Sequence, residues 1–415
     1  MRANALLGGV SALLAWTVAA GSAYAVNGSP TWSIVSLWPG PGGTQYVSSP
    51  RMAFDHYGTP AVSWSIVDAV GIAANQVYHS QQTPLGLWSH RQMASGIGSG
   101  LLTSVSYDRA ERPHVAWLNS NGSLNASFNF GASQNLTAAP AAATALPSLS
   151  LRHDLAGNLV GIYAGSSAGQ IGAITWNGTT YSRALLTTLP GVSSVRSAAL
   201  TIDHRGLRHM VLDAVLQPSG ARAVVLASEP ANNAAWVSGV LTTADAVTGV
   251  DITTRGSDGR VAFTYATRTG TLSQLFYAES NGSTITTATV SSSSTAQYGG
   301  VSLAFDRTDG QPAIGFVDAT NRDLLFSFRN PGGTWTTGVV DPDISLTSPL
   351  LGEPIFPSLA FNEFGTGWPA LAYVGGNGDL RVAFDPPAPE PATAVLFPAA
   401  AVAFARRRIG RGGQS

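Results

Sequence analysis

Short runs in which large apolar residues alternate with small or polar ones recur along most of the chain, and Gly, Asp, Asn or Pro breaks each of them. Successive side chains of an extended chain point to opposite faces, so this period of two is the pattern of a β-strand with one face buried. The clearest runs are Ser302-Leu303-Ala304-Phe305-Asp306 with Pro312-Ala313-Ile314-Gly315-Phe316, and Ser358-Leu359-Ala360-Phe361-Asn362 with Pro369-Ala370-Leu371-Ala372-Tyr373. Arg51-Met52-Ala53-Phe54-Asp55 with Pro60-Ala61-Val62-Ser63-Trp64 repeats the phrase, as does Val105-Ser106-Tyr107-Asp108 with Pro113-His114-Val115-Ala116-Trp117. Weaker copies begin at Ser148, Ala199 and Val250. The unit therefore returns about every 51 residues, seven times, a spacing typical of propellers and arrays.

A second pair of strands follows each hairpin, best seen in Leu324-Leu325-Phe326-Ser327-Phe328 and Thr334-Trp335-Thr336-Thr337-Gly338-Val339-Val340. Asn177-Gly178 and Asn281-Gly282 are tight-turn dipeptides between such antiparallel strands. Four antiparallel strands per repeat make a propeller blade. Asp55, Asp108, Asp203 and Asp306 fall where a first strand ends, and their recurrence there assigns them to turn closure through backbone N–H groups, not to catalysis. After the seventh hairpin only one strand remains, Leu380-Arg381-Val382-Ala383-Phe384; its missing partner stands at the other end, in Thr31-Trp32-Ser33-Ile34-Val35-Ser36-Leu37. The expectation is an all-β, seven-bladed β-propeller with four-stranded antiparallel blades over residues 31–386, closed by an N-terminal velcro strand that leaves no unpaired edge at the join.

Composition narrows the function. The 415 residues are 44% hydrophobic and 11% charged, with a formal net charge of −1, so no basic field exists to attract nucleic acid, and none is expected as a partner. Cysteine is absent, so stability must come from core burial alone.

Both ends read as addresses. Residues 1–25 run from Arg2 through an apolar stretch to Ala23-Tyr24-Ala25, the pattern of a signal peptide that signal peptidase cuts after Ala25, where Ala23 and Ala25 supply the small residues its pocket accepts. At the other end, 387–415 contains Pro389-Glu390-Pro391, an apolar run from Ala392 to Ala405, and Arg406-Arg407-Arg408. These three parts, in this order, resemble the PEP-CTERM sorting signal of Gram-negative-type bacteria. That resemblance implies an exosortase as partner in transit, transient inner-membrane anchoring with the basic end cytoplasmic, and delivery to the cell surface or exopolysaccharide matrix. The apolar run is shorter than the roughly 20 residues that span a bilayer comfortably.

The hairpin phrase of the body resembles sialidase-like, BNR-type propellers. The Ser-x-Asp-x-Gly-x-Thr-Trp box of that family is intact in no repeat, Gly333-Thr334-Trp335 keeping only its end, and no arginine triad can be assigned. The seven histidines lack metal-ligand spacing, Asp341-Pro342-Asp343 lacks the Gly and bidentate Glu of a calcium loop, and no phosphate or dinucleotide motif is present, so neither metal nor cofactor is expected. Ligand contacts are expected in the loops that enter first strands and join second to third strands, at Trp38, Tyr46, Asn119, Tyr298 and Asp318, whose aromatic, amide and carboxylate groups suit stacking on and hydrogen bonding to neutral sugars. Two classes remain. The first is a monomeric, non-catalytic binding or structural propeller recognising a surface glycan or exopolysaccharide; the second is a glycoside hydrolase or lyase using carboxylates over the central channel.

Overall fold

A computed structural model describes residues 32–385, apart from 41–44, 69–74, 84, 97–101, 120–122, 137–148, 155, 165–168, 232–233, 257, 307–309, 349–352, 355 and 363–366. The two terminal segments expected to be addresses, with Ala23, Ala25, Pro389, Glu390, Pro391 and Arg406 to Arg408, lie outside the described residues.

Seven four-stranded antiparallel sheets make up the body. Blade 1 is Gln45–Phe54, Pro60–Asp68, Asn75–Gln82 and Trp88–Gly96, each strand hydrogen-bonded to the next. The inner strands of blades 2 to 7 are Leu102–Tyr107, Leu149–His153, Val192–Ile202, Ala246–Thr254, Tyr298–Phe305 and Ser358–Phe361. Each of these seven inner strands contacts the next, and the last contacts the first, so the blades form a closed ring. The closure is the expected one: Ser33–Trp38 is the outer strand of blade 7, with Ser33 opposite Phe384 and Val35 opposite Val382.

The core is divided among the blade junctions. One apolar cluster sits between each pair of neighbours, as where Leu37, Val374, Leu380 and Phe384 of blade 7 meet Val47, Val62 and Trp64 of blade 1. Trp64, Trp117, Phe263 and Phe316 are fully buried in such junctions, and burying a side chain of this size contributes roughly 3 kcal/mol. The alternation in the sequence has this cause: one side chain of each pair faces the preceding blade and its neighbour faces the next.

Turns close as the sequence requires. The carboxylate of Asp55 accepts from the N–H groups of Tyr57 at 3.0 Å and Thr59 at 2.8 Å. Asp108, Asp154 and Asp203 do the same for the residues two and four positions on. These turns define one face of the disc. Ser33 and Phe384, the ends of the closing pair, lie on that face, because an outer strand begins and a third strand ends there. The opposite face, where inner strands begin and second strands end, is called the mouth below.

Candidate functional site

The five side chains expected to bind ligand are not brought together. Trp38 ends the outer strand of blade 7 and packs against Trp64, Tyr78 and His90, with ring centroids at 5.3, 5.4 and 5.7 Å. Tyr46 is buried beside Val67 at the start of the inner strand of blade 1. Asn119 closes a turn, donating from its amide to the Ser123 hydroxyl at 2.9 Å. Tyr298 is buried edge-on against Phe316, and its hydroxyl accepts from Ser291 at 2.8 Å. Asp318 is buried too, accepting from the Thr320 N–H at 2.9 Å and the Asn321 amide at 2.7 Å. None of the five lines the central cavity.

That cavity is the concave feature at the hub. It occupies about 310 Å3 and is lined by residues of all seven inner strands, mostly from the middle of each strand. Its wall alternates hydroxyls, such as Ser48, Ser104 and Thr248, with short apolar groups and a few charges. The volume lies at the lower end for small-molecule sites, enough for a sugar ring and not for a folded chain.

Much of the hydroxyl lining is structural. One register position per inner strand carries Arg51, Ser104, Ser150, Ala199, Asp251, Ser302 and Ser358 in blades 1 to 7. At this position Ser104, Ser302 and Ser358 accept from the backbone N–H groups of Leu151, Leu359 and Met52 in the next blade, at 3.1, 3.0 and 2.9 Å. Asp251 does the same for Leu303 at 2.8 Å, and its other oxygen accepts from Ile252 at 2.9 Å. Ala199, at this position in the preceding blade, has no acceptor to offer Ile252, so Asp251 fills two places in the ring.

The charges divide into two groups. Towards the mouth, Asp213 accepts from Arg222 through both its oxygens, and Arg196 stands 4.0 Å away. Arg222 also donates to the Val247 carbonyl at 2.8 Å, tying blade 4 to blade 5. Deeper in the hub lie Arg51 and Arg152, both half-buried. Burial lowers the pKa of Arg51; Asp251 works against that effect and Arg152 with it, so all three groups feel one another. Sequence reasoning passed over Arg51 and Arg152 because each sits inside a strand phrase that reads as core. Superposing the seven repeats supplies the missing signal, since Arg51 occupies a position that holds serine in four others.

Carboxylates elsewhere are engaged as well. Asp341 accepts from the Tyr373 hydroxyl at 2.7 Å and from Arg381 at 2.8 Å. Among the described residues no three His, Asp or Glu side chains converge as a metal site.

No family model and no curated protein sequence matches the chain. Solved structures do. The BP39L lectin from Burkholderia pseudomallei is 13% identical, with a TM-score of 0.57, over 85% of this chain and 99% of the lectin. An oligogalacturonate lyase in complex with manganese is 10% identical, with a TM-score of 0.53, over 89% of this chain and 96% of the lyase. The Hadza microbial sialidase Hz136 is 12% identical, with a TM-score of 0.46, over 82% of this chain and 66% of the sialidase. At such identities the likeness is one of fold.

Proposed function

We propose that this chain is a non-catalytic, carbohydrate-binding propeller whose site is the hub cavity, not the loop aromatics, and that it works at the cell surface or in the exopolysaccharide matrix. The observation that carries this reading is the cavity itself: a sugar-sized recess at the hub, walled by hydroxyls and guanidinium groups that can hydrogen-bond a polyol. The propeller neighbours include a lectin and a lyase named for a saccharide, which is consistent with such a ligand.

Binding without turnover follows from the state of the two carboxylates in the wall. A general acid or nucleophile must be free to touch the scissile bond. Asp213 is held by Arg222, and Asp251 by two backbone N–H groups and the Ser302 hydroxyl. The enzyme alternative would have to release one of them. A glycan array probed with the purified protein, followed by product analysis of every hit, separates the two readings. Retention with no new reducing end or unsaturated product is expected; cleavage of a hit would move the chain to the enzyme class.

The address at each end supports export with removal of both tails by signal peptidase and an exosortase. Mass spectrometry of the surface-exposed protein is expected to give a first residue of Val26 and no peptide containing Arg406 to Arg408. Recovery of that basic end on mature surface protein would overturn the sorting proposal.

A further inference from the structure

We propose that the hub cavity selects an anionic saccharide, one bearing a carboxylate or sulfate group held between Arg51 and Arg152. This inference rests on the carbohydrate reading of the same cavity and specifies the chemistry of its ligand.

Charge in the wall is unbalanced. Among the described residues, four guanidinium groups, Arg51, Arg152, Arg196 and Arg222, face two carboxylates, Asp213 and Asp251. Position matters more than the count. Other half-buried arginine heads are matched: Arg208 by Glu229, Arg381 by Asp341 and Asp379, and, in the cavity wall itself, Arg222 by Asp213. Arg51 differs, since among the described residues its guanidinium makes no hydrogen bond and no ion pair. Arg152 donates only to the Leu151 carbonyl, at 3.0 Å. Asp251, the carboxylate whose field reaches Arg51, turns its oxygens to Ile252, Leu303 and Ser302 instead.

Two like charges, partly withdrawn from water and close enough to oppose each other, destabilise the empty cavity. An oxyanion placed between them relieves that repulsion and accepts charge-assisted hydrogen bonds from two planar donor forks. The hydroxyls of Ser48 and Ser49, beside Arg51 on the same strand, are in place to meet the ring to which the anion is attached. A neutral glycan would leave both cations uncompensated. The site therefore discriminates by charge, although the chain as a whole is close to neutral.

Calorimetric titration of the purified full-length protein tests this with four ligands: an oligouronate, its carboxyl-reduced neutral form, a sulfated oligosaccharide and the unsulfated parent. Tighter binding of either acidic form than of its neutral partner is expected, and which pair shows it identifies the anion. Arg51→Gln and Arg152→Gln should each weaken that binding by about tenfold or more, the usual loss for a hydrogen bond to a charged group. Arg268→Gln, which removes the same charge from an exposed position on the mouth face, should not weaken it. Melting curves confirm that the variants fold, and the paired ligands test the idea on the unaltered protein in any case. If the neutral forms bind as tightly as the acidic ones, the anion inference fails and the carbohydrate reading stands. If no saccharide of any kind binds, both fail.

Discussion

Trp38 carries a side chain whose chemistry suits sugar stacking, and the structure packs it among other aromatic rings. Its indole is half-buried and meets three aromatic rings at the junction of blades 7 and 1. Trp38→Ala is therefore expected to cost about 3 kcal/mol of stability, as large-to-small changes in packed aromatic clusters do, while leaving saccharide binding unchanged. Denaturant melts beside a binding titration check both halves. The histidines give a second expectation. His114 is buried with its Nδ1 against the Tyr181 hydroxyl at 2.9 Å, and desolvation together with His153 pulls its pKa down to about 3. Desolvation likewise brings His153 to about 4. Unfolded histidines titrate near 6.5, so between that value and about 4 the unfolded chain binds more protons than the folded one. Stability is complete above about pH 6.5 and falls as the pH drops towards 4. Unfolding curves at stepped pH should show this slope, and His114→Gln should flatten it while lowering stability at pH 7.5. Burial of this kind was hidden in the sequence, where His114 and Tyr181 stand in different repeats and nothing marks them as partners.

At the scale of strands and turns the sequence was far more informative. Seven copies of one phrase fixed the blade count, and the unpaired run Leu380–Phe384 called for Ser33–Trp38 because an apolar strand cannot be left with a bare edge. The cavity was less legible for a physical reason: alternation tells which side chains leave a strand on the same side, but not which part of that strand borders the axis of the ring. Arg51 and Ser63 are register partners in adjacent strands, yet only Arg51 reaches the hub. Turns also interlock around the ring in a way that no single repeat reveals. Gly58, in the first turn of blade 1, has a φ of +75°, and a Cβ there would lie 2.4 Å from the side-chain oxygen of Asn362 in the matching turn of blade 7. Gly58→Ala should cost about 1–2 kcal/mol from the left-handed backbone alone, plus whatever displacement of Asn362 adds. Removing the closing strand should do more. A chain beginning at residue 41 loses Trp32 and Leu37 from two junction cores and exposes the edge of Leu380–Phe384, so a lower melting temperature and concentration-dependent light scattering are expected.

As a whole the molecule has two unlike faces. Inner strands begin at the mouth, and the opposite face carries the Asp turns and the points where the described chain begins and ends. The pairing of Ser33 with Phe384 adds a mechanical consequence. A pull transmitted through the residues after Phe384 runs along a strand held on both sides, by Pro369–Val374 and by Ser33–Trp38. Such a load shears the hydrogen bonds of both ladders together and does not peel them one at a time. The strand that closes the ring would then also serve as the buckle of the harness.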